Sequence, residues 1–262
     1  MTDHYRIAAL EKGLRVLACF TPNERALGVS EVARTTKIPV STCFRILRTL
    51  EDSGYVEQLD DGTFTPSAAV LTLGFAALQG NEVVEATRLP LRELQRHTRE
   101  TCSLAVLSGA DIVYLLRYKS AGYVVGNVVA GSLLPAACTA MGKVLLSCLE
   151  GPELDATLAG VDLASYRMGP NAVQTMDELR AELATIRERG WGSQDEEVAF
   201  GLRSISLPVM NLDGAAGAIA VSVESAQWSH ERMIDELLPQ LRRAADKASI
   251  SMGYLPSIRP SH

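Results

Sequence analysis

The stretch VSEVARTTKIPVSTCFRILRTLEDSGYV, residues 29–56, decides the fold of the N-terminal part of the chain. Within it, the segment from Val40 to Leu50 has apolar residues at helical spacing, with polar residues between them. We expect the apolar face of this helix to pack inside a small domain and the polar face to remain free for a partner. The apolar positions are Val40, Cys43, Phe44, Leu47 and Leu50.

The free face of this segment is locally basic. Between Val32 and Leu50 there are four basic residues and no acidic one, although the whole chain has a formal net charge of −6 and a pI of about 5.3. An acidic chain does not hold nucleic acid by bulk charge, so any DNA contact must come from a small local patch. The basic residues are Arg34, Lys37, Arg45 and Arg48.

The flanking segments favour a winged helix-turn-helix in residues 1–66. Upstream, apolar residues recur every three or four positions from Ile7 to Phe20, which predicts an amphipathic helix, and Ser30 is suited to cap a second helix. Downstream, Asp60-Asp-Gly62 predicts a hairpin turn, because Asp and Gly tolerate positive φ. Three helices followed by a hairpin form this motif, although a three-helix packing unit without a ligand remains the alternative.

The third helix carries most of the predicted DNA-binding residues. Ser41, Arg45 and Arg48 are spaced i, i+4 and i+7, so they share one stripe of the helix. Arginine contacts guanine edges or phosphate, and hydroxyl groups contact bases or phosphate oxygens. We expect DNA contacts from Ser30, Lys37, Ser41, Thr42, Arg45, Arg48 and Thr49.

Residues 67–81 predict a linker helix that joins two subunits. The helix from Ala68 to Gln79 is apolar on nearly all sides, so other parts of the protein must pack against every side of it. We expect the same helix of a second subunit to pack against it. This predicts a homodimer or a tetramer built from dimers. The alternative is a core helix of the larger domain.

Residues 82–254 have the pattern of an α+β domain, and residues 255–262 that of a flexible tail. Alternating apolar segments predict antiparallel strands with helices between them. Residues 131–135 are expected to form a loop, and residues 191–202 an irregular polar segment. The predicted strands are residues 102–107, 112–118, 123–129, 203–210 and 215–223.

Catalytic and cofactor signatures are missing from the sequence. Met141-Gly142-Lys143 resembles the end of a phosphate-binding loop, but Ala137 stands where that motif needs glycine. The acidic run Asp195-Glu-Glu197 supports one alternative, a small-molecule-converting enzyme with a fused helical module, but a solvated loop is the simpler interpretation. We expect no enzymatic activity, no catalytic residue, no cofactor and no metal site, since the histidines are scattered.

Cysteine usage and hydropathy indicate a cytoplasmic protein. The five cysteines are scattered without a CxxC pair, which favours reduced thiols. No apolar run reaches the roughly 18 residues that a membrane-spanning helix needs.

Four segments, in order, resemble motifs of the IclR family of bacterial transcriptional regulators, and the resemblance runs from about Leu10 to about Tyr254. It implies a winged helix-turn-helix, a dimerising linker helix and a GAF-like domain that binds a small effector. The segments are ALEKGLRVLACF, VSEVARTTKIPVSTCFRILRTLEDSGYV, LPAACTAMGKVLL and DEEVAFGLRSISLPV.

The resemblance also implies the residues of the effector pocket. They are Ala140, Met141, Gln194, Leu202, Ser204, Ala220 and Ser222. The first amides of the helix after Thr139 suit an anion, and the two serines add hydrogen bonds. The alternative is that Ser204 and Ser222 simply alternate along core strands.

The segment GSLLPAACTAMGKVLL is most similar to the branch that regulates the catabolism of aromatic acids, including the protocatechuate and 4-hydroxybenzoate regulators. The chain differs from that branch at Leu133 and Lys143, where arginine is frequent. The expected function is a ligand-responsive regulator that binds operator DNA and senses a small organic acid of the aromatic class or a related metabolite.

Overall fold

The structure, a computed structural model, describes residues 6–21, 24–120, 128–166 and 168–255. The chain divides into two compact units, Met1–Gln79 and Gly80–His262. Each unit is described by itself. Most of the strand expected at 123–129, and of the tail expected at 255–262, lies outside the described residues.

The first unit is a winged helix-turn-helix. Three helices are followed by a two-stranded antiparallel hairpin, in which Val56 pairs with Pro66, and then by a fourth helix. The elements are α1 Ala8–Leu17, α2 Val29–Thr36, α3 Val40–Asp52, β1 Val56–Gln58, β2 Phe64–Pro66 and α4 Ala69–Leu78.

The core of the first unit lies between α2, α3 and the hairpin. Val32, Cys43, Leu47 and Phe64 are fully buried there, and they come from α2, α3 and β2. The prediction for the apolar face of α3 was partly wrong, because Val40 is 53% exposed and Phe44 is 48% exposed. These two residues lie beside the buried stripe rather than on it.

The apolar stripe predicted for α1 is also exposed. Ile7, Leu10 and Leu14 are each more than half exposed, and Val16 is the buried residue of α1. The amphipathic helix was predicted correctly, but most of its apolar stripe is not used for packing in this chain.

The ends of the helices follow simple capping chemistry, with one correction. Ser30 is not the N-cap of α2, since the helix begins at Val29 after Gly28, whose N–H donates to the Glu31 carboxylate at 2.8 Å. Ser30 is instead a residue of the first helical turn. Gly54 follows the end of α3 with a φ of 78°, a left-handed conformation that glycine readily adopts after a helix.

Helix α4 buries no side chain in this chain. Residues 71–77 form an unbroken exposed run, in which Leu71 and Phe75 are each 61% exposed. So much apolar exposure on one helix exceeds what a monomeric protein usually leaves in water.

The second unit contains a six-stranded antiparallel sheet with the order β5-β4-β3-β8-β7-β6. Its elements are α5 Glu82–Thr98, β3 Thr101–Ser108, β4 Asp111–Tyr118, β5 Leu133–Pro135, α6 Ala140–Ser147, α7 Gly151–Leu158, α8 Met176–Arg189, β6 Gly192–Asp195, β7 Leu202–Asn211, β8 Gly214–Glu224, α9 His230–Arg232, a π-helical turn Met233–Leu237 and α10 Leu238–Ser251.

The two faces of the sheet have different partners, because side chains alternate along each strand. Ile219 and Val221 lie on the face that packs against α5 and α10. Ala218 and Ala220 lie on the other face, in the core formed with α6 and α8. The expected α+β fold with helices flanking an antiparallel sheet is confirmed.

Two strands of this sheet were missed. Residues 133–135, expected as a loop, form β5 on β4, and residues 192–195, expected as irregular, form β6 on β7. Both are edge strands of three or four residues, and β6 has the sequence GSQD. Such residues have little intrinsic strand preference, so pairing with the neighbouring strand determines their conformation.

Candidate DNA interface and effector cavity

Helix α3 presents a polar stripe to solvent. Ser41, Arg45 and Arg48 lie on the side of α3 away from the buried Cys43 and Leu47. Within the part of the chain that the structure describes, the Arg45 side chain has no ion-pair or hydrogen-bond partner. Arg45 is therefore free to reach a base edge or a phosphate.

Arg48 is held in place by its neighbours. Its guanidinium lies 2.7 Å from the Glu51 carboxylate and donates a hydrogen bond to Gln58 of the wing at 3.3 Å. The salt bridge to Glu51 reduces the net positive charge that Arg48 presents, while the bond to Gln58 connects α3 with β1.

The other predicted DNA-contacting residues differ in location and exposure. Lys37 lies at the left-handed C-cap of α2, and Ser30 lies at the start of α2. Thr42 is only half-exposed, and Thr49 donates its hydroxyl to the Arg45 carbonyl at 2.9 Å. Thr42 and Thr49 both lie on the side of α3 that borders a groove with α1.

Two apolar residues on α3 were assigned to packing and are instead exposed on the flank opposite Thr42 and Thr49. Val40 and Phe44 are one turn apart, next to Ser41 and Arg48. Apolar side chains in this position suit contact with thymine methyl groups. A spacing pattern cannot separate them from the core stripe, since i and i+4 also describe core positions.

In the second unit, all seven residues predicted for the effector pocket border one cavity. The start of α6 provides Ala140 and Met141, and the sheet provides the other five. The cavity has a volume of about 30 Å³, which holds little more than a water molecule.

Hydrogen bonds connect the polar residues of this cavity. Ser204 donates to Ser222 Oγ at 2.9 Å, and the Gln194 amide donates to Ser204 Oγ at 3.2 Å. The register places Gln194 opposite Ser204, and Ser204 opposite Ser222, on three adjacent strands. The cavity wall therefore has a polar row.

The start of α6 is fixed by two local features. Thr139 accepts a hydrogen bond from the Gly142 amide at 3.0 Å, as predicted for an N-cap. Gly142 approaches the backbone so closely that a Cβ there would lie 2.3 Å from Ala136 Cα. The amides of Ala140 and Met141, the first of the helix, have no carbonyl partner within α6.

Sequence reasoning missed Arg117 and Tyr114, which also line the cavity. Arg117 lies on β4, where its Nη1 donates to Ser103 Oγ at 3.1 Å, and its guanidinium is 5.7 Å from the Tyr114 ring centre. A basic residue that follows the apolar and aromatic run IVYLL in the strand DIVYLLRY was the available signal.

A buried charge cluster lies behind the cavity. Lys143 is fully buried and donates to Glu182 at 2.5 Å and to Glu197 at 2.6 Å. Burial, opposed in part by Lys143, raises the pKa of Glu197 to about 7. The backbone N–H of Glu197 donates to the Gln194 side chain at 2.9 Å, so the cluster connects directly to the cavity wall.

The acidic run 195–197 is not a solvated loop, contrary to expectation. Asp195 pairs with Arg203 at 2.6 Å, and Glu196 accepts a hydrogen bond from Ser225 at 2.7 Å. Glu197 is buried against Lys143. Each acid therefore has a structural partner.

Metal-binding clusters and membrane-spanning helices do not occur in the described ranges 6–21, 24–120, 128–166 and 168–255. These ranges contain no group of three or more metal-binding side chains, and none of their helices is long and apolar enough to cross a membrane.

A winged helix-turn-helix with a basic third helix, joined to an α+β domain with an internal cavity, defines the class of ligand-responsive, DNA-binding transcriptional regulators. Comparison with protein families agrees. Residues 9–60 match the IclR helix-turn-helix domain, and residues 75–250 match the bacterial transcriptional regulator IclR C-terminal model. The chain belongs to the IclR family.

Individual relatives are also regulators. The chain is 32% identical over 233 residues to the HTH-type transcriptional regulator KdgR of Escherichia coli K12, covering 88% of each protein. It is 29% identical to the Pca regulon regulatory protein of Pseudomonas putida, covering 91% of this chain and 82% of that protein. Family membership identifies the chain as a regulator and not an enzyme.

The fold is shared with a crystallised IclR homologue from Microbacterium hydrocarbonoxydans in complex with 4-hydroxybenzoate. The TM-score is 0.75 at 22% identity, covering 94% of this chain and 99% of the other. This likeness concerns the fold.

Proposed function

We propose that this regulator binds its operator as a homodimer, through α3, and that a small organic acid in the cavity beside α6 controls this binding. The observation that carries the proposal is the convergence of the seven predicted pocket residues, from α6 and three strands, on one cavity. Aromatic acids are the first effectors to test, because a homologue of the same fold was crystallised with 4-hydroxybenzoate.

The DNA-binding surface combines exposed donors with one anchored arginine. Ser30, Lys37, Ser41 and Arg45 are exposed on α2, its C-cap and α3, while Arg48 is oriented by Glu51 and Gln58. Hydrogen-bond donors of this kind can contact phosphates, which positions the protein on DNA, and base edges, which gives sequence specificity. A regulator acting on operator DNA works in the cytoplasm.

Exposed apolar residues of the first unit support the dimer. Leu10 and Leu14 of α1 and Leu73 of α4 border a groove of about 670 Å³, whose lining is mostly apolar. Each of these leucines is more than half exposed, as are Leu71 and Phe75. Burying this surface against a second copy would remove the unfavourable exposure and would bring two copies of α3 to one DNA site.

The cavity requires adjustment before an effector of ordinary size can enter, because metabolite sites usually enclose several hundred Å³. Met141 is a lining side chain suited to move, since its unbranched thioether chain adapts its shape to its surroundings. A displacement at Met141 would move the start of α6.

An electrophoretic mobility shift assay tests the function. The full-length protein is incubated with the DNA upstream of its own gene and with a scrambled fragment of equal length, at low and at moderate salt. We expect a specific shift that weakens with salt and changes when an effective acid is added. Equal binding to both fragments would contradict the proposal.

A further inference from the structure

We propose that Arg117 binds the carboxylate of the effector, and that the effector is therefore a monocarboxylic acid whose charge faces β4. The inference rests on the proposed effector site and adds to it a residue and a ligand charge.

The charges at the cavity are unbalanced. Arg117 lines it, and none of the described lining residues is Asp or Glu. Glu197, the acid connected to the wall through Gln194, is already paired with Lys143. Burial raises the pKa of Tyr114 to about 12, so this neighbouring phenol is neutral and provides no countercharge.

The hydrogen bonding of Arg117 is incomplete. Its Nη1 donates to Ser103 Oγ at 3.1 Å, but its Nε is buried and has no hydrogen-bond partner. Within the described residues, Arg117 belongs to no ion pair. A guanidinium with a buried, unused Nε and no acid beside it is unfavourable, and a carboxylate satisfies both its charge and its fork geometry.

The position of Arg117 in the sheet also suits a contact with the effector. Arg117 pairs with Ser103 on β3, and Ser103 pairs with Ala220 on β8, so Arg117 stands in the same row of the sheet as a predicted pocket residue. Ser222 is two residues further along β8 and lies on the same face. With strands about 4.8 Å apart, the guanidinium and the serine row occupy opposite ends of the cavity, and a carboxylate at one end leaves the rest of the molecule facing the serines.

The test begins without any added acid. If Arg117 is retained for a ligand, Arg117→Met should change the melting temperature of the full-length protein little, since the lost hydrogen bond to Ser103 is offset by removal of a charge that no acid balances. If Arg117 were a structural residue, the same variant should melt several degrees lower. Far-UV circular dichroism checks that each variant is folded, and Arg180→Met changes an exposed arginine of the same domain as the control.

The second arm compares acids with their neutral amides. Benzoate, 4-hydroxybenzoate and pyruvate are each tested against the corresponding amide, with inorganic phosphate as a separate anion. At least one acid should raise the melting temperature of the wild type and of Arg180→Met by on the order of 5 °C at saturation. Its amide should not, and Arg117→Met should lose the effect while Arg117→Lys keeps part of it.

Four results would overturn the proposal: lower stability of Arg117→Met without acid, no response of the wild type to any of the acids, equal protection by acid and amide, or protection by phosphate alone. Ala220→Val, which narrows the cavity without changing its charge, distinguishes the remaining cases. An acid that protects wild type and Arg117→Met equally, but not Ala220→Val, would leave the effector site in place and exclude Arg117 as its anchor. An acid that protects the wild type, Arg117→Met and Ala220→Val alike would show that the effector site lies elsewhere.

Discussion

Lys143 Nζ lies 2.6 Å from Glu197 Oε1, in a position where the lysine is fully buried and the glutamate is 10% exposed. The same ammonium also contacts Glu182, which is 28% exposed. One cation thus holds α6, α8 and the segment between β6 and β7 together. Because Glu197 also contacts Gln194, the cluster supports the wall of the cavity.

Replacing Lys143 should therefore destabilise the folded protein. Lys143→Met leaves Glu197 buried without a partner, and we expect a loss of about 3–5 kcal/mol in the free energy of unfolding. Glu182→Gln removes only the more exposed partner and should cost about 1 kcal/mol or less. Urea unfolding followed by circular dichroism measures both variants, and equal losses would show that burial of the pair is not the decisive factor.

Glu197 should make stability depend on pH near neutrality. Its pKa in the folded protein is about 7, raised from 4.5 chiefly by burial. The folded state therefore binds more protons than the unfolded state between those values, so this group's contribution lowers stability as pH rises from about 4.5 to about 7. Glu197→Gln should remove that part of the slope, as measured by melting temperature across this pH range at constant ionic strength. Identical slopes for both proteins would contradict the assignment.

Gly142 should tolerate no side chain. A Cβ there would lie 2.3 Å from the carbonyl oxygen of Ala136 as well as from its Cα, so Gly142→Ala must displace the start of α6. We expect a loss of about 1–3 kcal/mol. Gly151→Ala is the control, because Gly151 begins α7 and a Cβ added there would meet nothing within 4 Å, and it should stabilise slightly. Similar melting temperatures for the two variants would argue against the close contact.

The sequence was most informative where local chemistry decides structure. The Asp-Gly hairpin was predicted in this way and is present. Thr139 and Thr175 cap α6 and α8, and Gly54 follows α3 with positive φ, so these helix ends also reflect the properties of single residues. Ser30 failed as a cap because Gly28 and Glu31 provide an equivalent interaction at the helix start.

Long-range properties were harder to predict. Whether Phe44 or Leu47 packs inward depends on the direction in which α3 lies against α2, and periodicity leaves both possible. Arg117 lies at the cavity because of the register between three strands, and no local sequence pattern determines that register. The pairing of Lys143 with Glu197 spans 54 residues and could not be read from either segment.

Arg45 should contribute to operator binding more than its position on an exposed helix would suggest. Since its side chain has no partner in the described chain, Arg45→Ala should remove the proposed DNA contact without disturbing the fold. We expect operator affinity to fall by about 1–3 kcal/mol if it reads a base. Fluorescence anisotropy at constant salt measures this, with Arg92→Ala, an exposed arginine of the second unit, as the control. Unchanged affinity for Arg45→Ala would exclude it from the interface.

The exposed apolar surface of α4 should be necessary for the proposed dimer. Phe75 is 61% exposed within one chain, so Phe75→Glu should leave the fold of a single subunit intact. In a dimer that buries this surface, the same change places two unpaired carboxylates in an apolar interface, which is strongly unfavourable. Analytical ultracentrifugation should show a shift from dimer to monomer at micromolar concentration.

Leu212→Glu provides the matched control for this last experiment, because Leu212 is also apolar and is 81% exposed on a turn of the second unit. It should leave both the sedimentation coefficient and operator affinity unchanged. Phe75→Glu should weaken operator binding together with dimer formation, since a single α3 reads only half of a two-fold site. If Phe75→Glu remains dimeric, α4 is not the interface. If it becomes monomeric but binds the operator as tightly as before, the regulator does not need two copies of α3 on one site.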